Sequence, residues 1–439
     1  MINYKLKNFI KKFIPKFLLG WYHLMLAHLA NFIYGRPSEN LIVIGVTGTN
    51  GKSTTVNLIA EILREARHKV VVSSTVSFSD GKNEWLNNLK MTMPGRFFLQ
   101  RLLAQGVRNG AGFAVIESSS EGILQHRQVG LHYDCLVFTN LTPEHLEAHG
   151  GFKNYKQSKL KYFETLQNLP HKTIAKQRVP KIIAANIDDR AAAEFLNFSV
   201  DQKITYGQAE VANIRGMDLK ASERGVAFRV ADVDFSLNLK GIFDLYNALA
   251  AIAITSRLGI DLSLARHALE KIPNVPGRME LVDEGQAFQV LVDYAYEPAA
   301  LKQVYATIKN WSEKNIIQIL GSTGGGRDQA RRPVLGRLAA ENANVVILTT
   351  DDPYDDDPQT IMDEMAAGSM AQGKLLNQNL YKIPDRRAAM AKAFALAQAN
   401  DLILITGKGA EQKMAVRGGY IPWDDRTVAR EELKKILQK

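Results

Sequence analysis

Residues 45–55 read Gly-Val-Thr-Gly-Thr-Asn-Gly-Lys-Ser-Thr-Thr and follow the apolar run Leu41-Ile42-Val43-Ile44. After Lys52-Ser53 the pattern turns helical, with Val56, Ile59, Ala60 and Leu63 on one side. Backbone N–H groups of such a glycine-rich turn, and of the helix N-terminus behind it, point at phosphate oxygens. Gly48, Thr49, Asn50, Gly51, Lys52, Ser53 and Thr54 are therefore the candidate cradle for a nucleotide triphosphate. Lys52 would reach the outer phosphates and the Ser53 hydroxyl would hold Mg²⁺. The first glycine stands one residue early for the common G-x-x-x-x-G-K-[ST] form, so the loop is a variant. A glycine-rich turn that holds no nucleotide is the bland alternative; strand, Lys-Ser pair and helix together argue against it.

The elements that must position this loop alternate along the chain. From 41 to about 270, short β-branched runs (Leu41–Thr47, Lys69–Val72, Phe113–Glu117, Asp134–Thr139, Lys181–Ala185) are separated by helical patterns. That alternation predicts an α/β domain, a mostly parallel sheet with helices on both faces. Residues 200–240 lose the helical period and read as short antiparallel strands, and a helix over Leu245–Leu258 closes the domain. Ile272-Pro273-Asn274-Val275-Pro276-Gly277-Arg278 reads as a hinge. Beyond it a second, Rossmann-like α/β pattern has strands at Phe288–Val292, Ile316–Leu320, Val345–Thr349 and Leu402–Thr406. The expected organisation is a basic, apolar helical segment over 1–40, a central P-loop-type domain over 41–275 and a C-terminal domain over 276–439.

A chain of 439 residues with 46% hydrophobic and 23% charged residues has material for two or three cores. Its net charge of +10 suits anionic ligands. No long basic tract interleaved with aromatics reads as a nucleic-acid surface, so nucleic acid is not an expected partner. The single cysteine, Cys135, lies in an apolar run and reads as a small buried hydrophobe. At the N-terminus Lys5, Lys7, Lys11, Lys12 and Lys16 interleave with Phe9, Ile10, Phe13, Ile14, Phe17 and Leu18, and an apolar stretch from Trp21 to Ile33 follows. Pro15, Gly20, His23 and His28 interrupt it, so no clean membrane span exists. Two readings stand: a pair of amphipathic helices docked on the body, or a basic interfacial helix within residues 1–36 touching an anionic membrane.

Glu117 ends the run Phe113-Ala114-Val115-Ile116, where open α/β sheets bind ligands, and is a hard oxygen donor suited to Mg²⁺. The string T-G-T-N-G-K-[ST] resembles the ATP loop of Mur ligases and folylpolyglutamate synthetases, which join an amino acid to a carboxylate. Thr139-Asn140-Leu141-Thr142-Pro143-Glu144-His145-Leu146-Glu147-Ala148-His149-Gly150, then Tyr155 and Lys159, resembles the T-N-L-x-x-D-H-L-x-x-H-G…Y…A-K block of the Mur ligases. By that resemblance His145 is a ligand of a second Mg²⁺, and Lys159 is the lysine that reacts with CO₂ to give a carbamate. His149 reads as a packing histidine. Ser118 to Arg127 is similar to E-V-S-S-H-x-L-x-Q-x-R of the MurE branch, which implies acceptor contacts for Ser119 and Arg127; Glu121 replaces the usual histidine. Thr92-Met93-Pro94 stands where that branch has T-T-P, leaving Thr92 as the acceptor hydroxyl. Asn186 and Asp188-Asp189 match an N-A-D-D turn, and Asn247 matches the asparagine near the adenine. Arg278 and Asp293 complete the nucleotide-binding set that the resemblance implies.

Val292-Asp293-Tyr294-Ala295-Tyr296-Glu297-Pro298 resembles V-D-Y-A-H-x-P, with Tyr296 for the histidine. Gly321 to Asp328 resembles G-x-G-G-x-R-D, placing Arg327 on the carboxylate of the incoming amino acid in two-pronged fashion. Thr350-Asp351-Asp352-Pro353-Tyr354 occupies the D-N-P-R position, with Tyr354 for the arginine that pairs with the far carboxylate of diaminopimelate. Asp351 and Asp352 would instead favour a side-chain ammonium, so a lysine- or ornithine-like amino acid is expected; an exposed acidic loop without selectivity is the alternative. Gly407-Lys408-Gly409-Ala410-Glu411-Gln412 matches G-K-G-H-E-x-Q, giving Gly407 and Glu411 amino-acid contacts.

The resemblance implies a cytoplasmic, ATP- and Mg²⁺-dependent amide ligase working through an acyl phosphate on small-molecule substrates: ATP, an amino acid and a muramyl-peptide acceptor. The MurE branch also carries an N-terminal domain for the uridine nucleotide of that acceptor; here about forty residues precede the loop. A lipid-linked or folate-type acceptor is the alternative within the enzymes. A non-catalytic ATP-binding partner is the alternative outside them, against which Lys52, Glu117, His145 and Lys159 stand intact.

Overall fold

The computed structural model describes residues 16–438 except 145, 310, 312–314, 327 and 328, and the side chains of 16–19, 146 and 148. His145, Arg327 and the lysines at 5, 7, 11 and 12 lie outside the described residues. The loop strand Ile42–Thr47 runs at the centre of a nine-stranded sheet, buried along nearly its whole length. Phe113–Glu117 pairs with it on one side and Cys135–Phe138 on the other, both parallel, with Val46 opposite Glu117 and Thr47 opposite Phe138. The glycine-rich turn thus leaves the carboxyl end of a central strand, with a neighbour on each side to supply further groups. One core cluster joins the inner face of the helix Lys52–Glu65 to the helix Asp244–Arg257; a second fills the opposite face around Leu103, Phe163 and Phe195.

Residues 200–240 differ from expectation in part. Gln202–Gly207 and Ile214–Arg215 extend the main sheet in parallel, and only Met217–Ser222, Gly225–Val230 and Val233–Leu237 form the antiparallel sheet. The helix before Gln202, Ala192–Leu196, has five residues, too few to display a helical period. On the other edge, Ser77–Asp80 and Glu84–Leu86 add an antiparallel hairpin that the sequence pattern did not reveal. Its outgoing strand delivers the loop 87–95, which carries Thr92.

A second sheet of six strands is ordered Glu280–Leu281, Gln289–Asp293, Leu402–Thr406, Ile316–Leu320, Val345–Leu348 and Leu380–Lys382, parallel but for the first. The turn leading into it is tight, with Gly277 at φ +65° and the position of an added Cβ 2.1 Å from the Ala410 nitrogen. The described part of the N-terminal stretch is one helix, Lys16–Ile33, which runs through Gly20; the first half of the expected helix pair, over residues 1–15, lies outside the described residues. A single helical glycine costs about 1 kcal/mol, which docking offsets. Ala27 and Ala30 are buried, and the helix packs on Arg96–Arg108. Trp21, Tyr22, Met25, Leu29, Phe32 and Ile33 remain exposed. Among the described residues no helix is long and apolar enough to cross a membrane.

Candidate active site

Residues 49–54 of the loop line a cleft of about 340 Å³ that also takes in Thr75, Thr92, Glu117, Asn247, Arg278 and Asp293. Its shape requires two glycines. At Gly48 (φ +150°) an added Cβ would lie 2.0 Å from the Thr139 hydroxyl, and at Gly51 (φ +80°) 2.2 Å from Asn247 Oδ1. The loop is held from outside: Thr49 N–H donates to the Asn140 carbonyl at 2.8 Å, and Asn50 N–H to Asn140 Oδ1 at 2.9 Å. Thr139 Oγ1 donates to the Asn50 carbonyl at 2.7 Å. Asn186 supports this frame by donating to the Thr139 carbonyl, and Asp189 by accepting from Leu141 N–H. The Lys52 ammonium folds back to donate to the Thr49 carbonyl at 2.6 Å.

Ser53 Oγ donates to Glu117 Oε2 at 2.9 Å, and that carboxylate also accepts from Thr75 N–H at 2.7 Å. From the second domain, Arg278 donates to Ser53 Oγ at 3.2 Å while its guanidinium lies 4.3 Å over the Tyr294 ring. A hydroxyl and a carboxylate side by side at the phosphate end form a hard oxygen donor pair, which fits Mg²⁺ shared with phosphate oxygens. Among the described residues no group of three or more His, Cys, Asp or Glu is arranged to hold a metal. Lys159 is 1% exposed and donates to the Gly48 carbonyl at 2.6 Å. Its pKa lies well below the ordinary lysine value because burial, then the nearby Lys52 ammonium, disfavours its charged form. His149 is a packing group, bonded to Ser120 Oγ at 3.1 Å and edge-on to Tyr155.

Asn247 donates to Asp244 Oδ1 at 2.9 Å, and burial raises the Asp244 pKa to about 7. Asp293 accepts Met279 N–H at 2.8 Å and Ala295 N–H at 2.7 Å, which fixes the turn that presents Arg278 and Tyr294. Two contacts with no signature in the local sequence tie the domains: Asn50 donates to Glu297 Oε1 at 2.9 Å, and Tyr296 donates to Glu144 Oε1 at 2.5 Å.

The three residues assigned to the acceptor share one neighbourhood. Thr75 donates to Thr92 Oγ1 at 3.0 Å. Arg127 donates to the Met93 carbonyl and to Gln125 Oε1, and Tyr162 donates to the Ser119 carbonyl at 2.9 Å. Ser119 itself caps the helix Ser120–Leu124 by accepting Gly122 N–H.

The acidic loop at 351–357 divides its carboxylates among separate tasks. Asp356 pairs with Arg332 at 3.1 Å, and Asp357 caps the helix Pro358–Met370. Asp351 is 3% exposed, packs against Gly407 (φ +116°), and among the described residues its Oδ2 has no hydrogen-bond partner. Burial and the Asp352 charge push its pKa up to about 6. Only Asp352 joins Glu411: Lys408 donates to both Asp352 oxygens at 3.0 Å and to Glu411. A residue that the sequence did not single out, Lys90 of the loop after the edge hairpin, is also seated between Asp352 and Glu411.

A phosphate loop on a central parallel strand, a hydroxyl–carboxylate pair beside it and an arginine arriving from a second α/β domain form a two-domain phosphate site, which in a chain matched by Mur ligase domains is that of an ATP-dependent, ADP-forming ligase. The Mur ligase middle domain matches residues 46–255, and the Mur ligase, glutamate ligase domain matches 277–409. The UDP-N-acetylmuramyl-tripeptide synthetase of Roseiflexus sp. (strain RS-1) is 35% identical over 419 residues, covering 94% of this chain and 82% of that protein. The UDP-N-acetylmuramoyl-L-alanyl-D-glutamate--2,6-diaminopimelate ligase of Geobacillus kaustophilus is 36% identical over 427 residues, covering 96% and 85%. A solved structure of a UDP-N-acetylmuramoyl-L-alanyl-D-glutamate--2,6-diaminopimelate ligase superposes with a TM-score of 0.60 at 29% identity, covering 91% of this chain and 79% of that one. The chain belongs to the Mur ligase family, and these relatives are of the MurE type.

Proposed function

We propose that this ligase adds an amino acid with a side-chain ammonium, lysine- or ornithine-like, to the free carboxylate of a UDP-MurNAc-L-Ala-D-Glu-like acceptor in peptidoglycan precursor synthesis. The carrying observation is the meeting of Ser53 with Glu117 and Arg278, which draws both domains onto the phosphate end of one cleft. The loop 48–54 holds the ATP phosphates, Asn247 faces the base, and Lys52 with Arg278 neutralises charge where the acceptor carboxylate takes up the terminal phosphoryl group. The amine of the amino acid then displaces phosphate from the acyl phosphate. Ser53 and Glu117 would hold Mg²⁺, which supplies charge neutralisation on the phosphates. Burial and the nearby Lys52 ammonium disfavour the charged form of Lys159 and so favour the amine that adds CO₂, whose carbamate would contribute oxygen ligands where the lysine itself has none. Thr92, Ser119 and Arg127 position the acceptor; Asp352 and Glu411 take the side-chain ammonium. Tyr354 in place of an arginine offers no cation to a second carboxylate.

The purified full chain with ATP, Mg²⁺ and UDP-MurNAc-L-Ala-D-Glu should release ADP only when its amino acid is added. No turnover with lysine, ornithine or diaminopimelate would remove this reading. The exposed face of the helix Lys16–Ile33 favours a second element: contact with an anionic membrane, beside which a lipid-linked acceptor could be met. Trp21→Ala with Phe32→Ala should abolish sedimentation with phosphatidylglycerol vesicles; absence of binding by the unaltered protein would dismiss it.

A further inference from the structure

The pocket assigned to the amino-acid side chain already holds an ammonium of this chain. Lys90 reaches across from the central domain; its Nζ bonds Asp352 Oδ2 and lies 3.3 Å from Glu411 Oε2. The three side chains are 9%, 8% and 12% exposed. Each carboxylate oxygen is engaged. Asp352 Oδ1 accepts from Lys408 and Ala415 N–H, and Asp352 Oδ2 from Lys408 and Lys90. Glu411 Oε1 accepts from Tyr294, and Oε2 from Lys408. Two ammonium groups face the carboxylates of Asp352 and Glu411, so these four side chains balance one another only while Lys90 is among them. The two residues that meet across the domains both hold left-handed backbone, Lys90 at φ 54° and Asp352 at φ 49°. Beside them lies the buried Asp351 Oδ2, unpartnered among the described residues.

Resting on the assignment of Asp352 and Glu411 to the substrate side chain, we propose that Lys90 is a specificity residue: a tethered occupant that only an incoming ammonium can replace. A neutral side chain cannot exchange with it, because expelling Lys90 without a substitute cation leaves Lys408 alone to offset two carboxylates in a nearly closed site. A cationic side chain exchanges charge for charge. Lys90 lies two residues from Thr92, so exchange also moves the loop that presents the acceptor hydroxyl, and the amino-acid and acceptor sites are coupled through it.

Calorimetric titration of L-lysine, L-norleucine and meso-diaminopimelate into the unaltered protein and Lys90→Met, each with a non-hydrolysable ATP analogue and Mg²⁺, tests this. Removing the competitor should tighten L-lysine by at least about tenfold while norleucine is unchanged, and Lys90→Arg should behave as the unaltered protein. Equal L-lysine affinity in both proteins, or L-lysine binding to neither, overturns the proposal. So does weakened diaminopimelate binding without a gain for lysine, which would make Lys90 a carboxylate partner. A second readout needs no variant: Lys90 of the unaltered protein should be acetylated by an activated ester several-fold faster with saturating L-lysine than with norleucine, and equal rates overturn exchange. Ligation assayed in parallel separates the two readings. Exchange without amide formation sinks the proposed function alone; lysine ligation with unaltered binding in Lys90→Met sinks the exchange alone.

Discussion

Lys159→Ala distinguishes a reactive lysine from one that braces the phosphate loop. The side chain is buried, donates to the Gly48 carbonyl at 2.6 Å and lies 4.5 Å over the Tyr155 ring. Burial, then Lys52, depresses its pKa and so favours the uncharged amine, the form that adds CO₂. If Lys159 works as a carbamate, truncation removes groups needed in the transition state and kcat should fall about 10²–10⁴-fold with the KM for ATP nearly unchanged. If Lys159 only braces the loop, losing its bond to Gly48 costs about 1–2 kcal/mol of stability and loosens the cradle, raising the KM for ATP. Steady-state ADP release at varied ATP reads the split. Acetate or propionate should restore part of the lost turnover in the alanine variant, and stripping CO₂ should slow the unaltered enzyme until bicarbonate is returned. A kcat within about threefold of normal, or a rise confined to the KM, would refute the carbamate assignment.

Three further outcomes follow from the geometry. Gly51→Ala places a methyl 2.2 Å from Asn247 Oδ1 at a left-handed position, so binding of an ATP analogue should weaken at least about tenfold by calorimetry; normal affinity would mean that the loop tolerates another shape. Tyr296→Phe removes a bond to the Glu144 carboxylate and should cost about 1.5–3 kcal/mol in urea unfolding. A loss too small to measure would show that the contact does not clamp the domains. Asp244 keeps its proton to about pH 7 when folded against 3.8 unfolded, so the folded state binds more protons between those values and loses stability as pH rises through them, by about 4 kcal/mol at pH 8. Asp244→Asn escapes that loss but turns an amide NH₂ toward the donors of Gly241 or Asn247. It should therefore be less stable than the unaltered protein at pH 5 and more stable at pH 8; parallel urea midpoints at both pH values would contradict the raised pKa.

The parallel core of both sheets is legible because each strand is short, β-branched and buried on both faces, which writes a continuous apolar run into the chain. Phe113–Glu117, Ile316–Leu320 and Leu402–Thr406 have the expected bounds for that reason. Gln202–Gly207 hides because it is half exposed, with Ile204 and Tyr206 turned inward and Lys203 out. The edge hairpin at 77–86 hides because its strands have three or four residues and are rich in serine, aspartate and glutamate. The phosphate loop and Glu117 stand out locally, as a glycine-rich turn and a strand-end carboxylate, whereas Lys159 stands out only through the family resemblance, since nothing beside it in sequence sets it apart from a solvated helical lysine.

What stayed unreadable is pairing across long sequence separations. Nothing local sets Tyr296 opposite Glu144, Asn50 opposite Glu297 or Lys90 opposite Asp352, since each pair is set by how two domains meet. The acidic loop shows the consequence. Counted along the chain, 351–357 offers a surplus of negative charge that calls for a cation from solution. In space Asp356 is met by Arg332, Asp357 by backbone N–H groups, and Asp352 by two lysines, one from each domain. On the proposal for Lys90, selectivity for an ammonium comes from exchange at Asp352 and Glu411, where two lysines already face the two carboxylates, rather than from the acidic run as a whole.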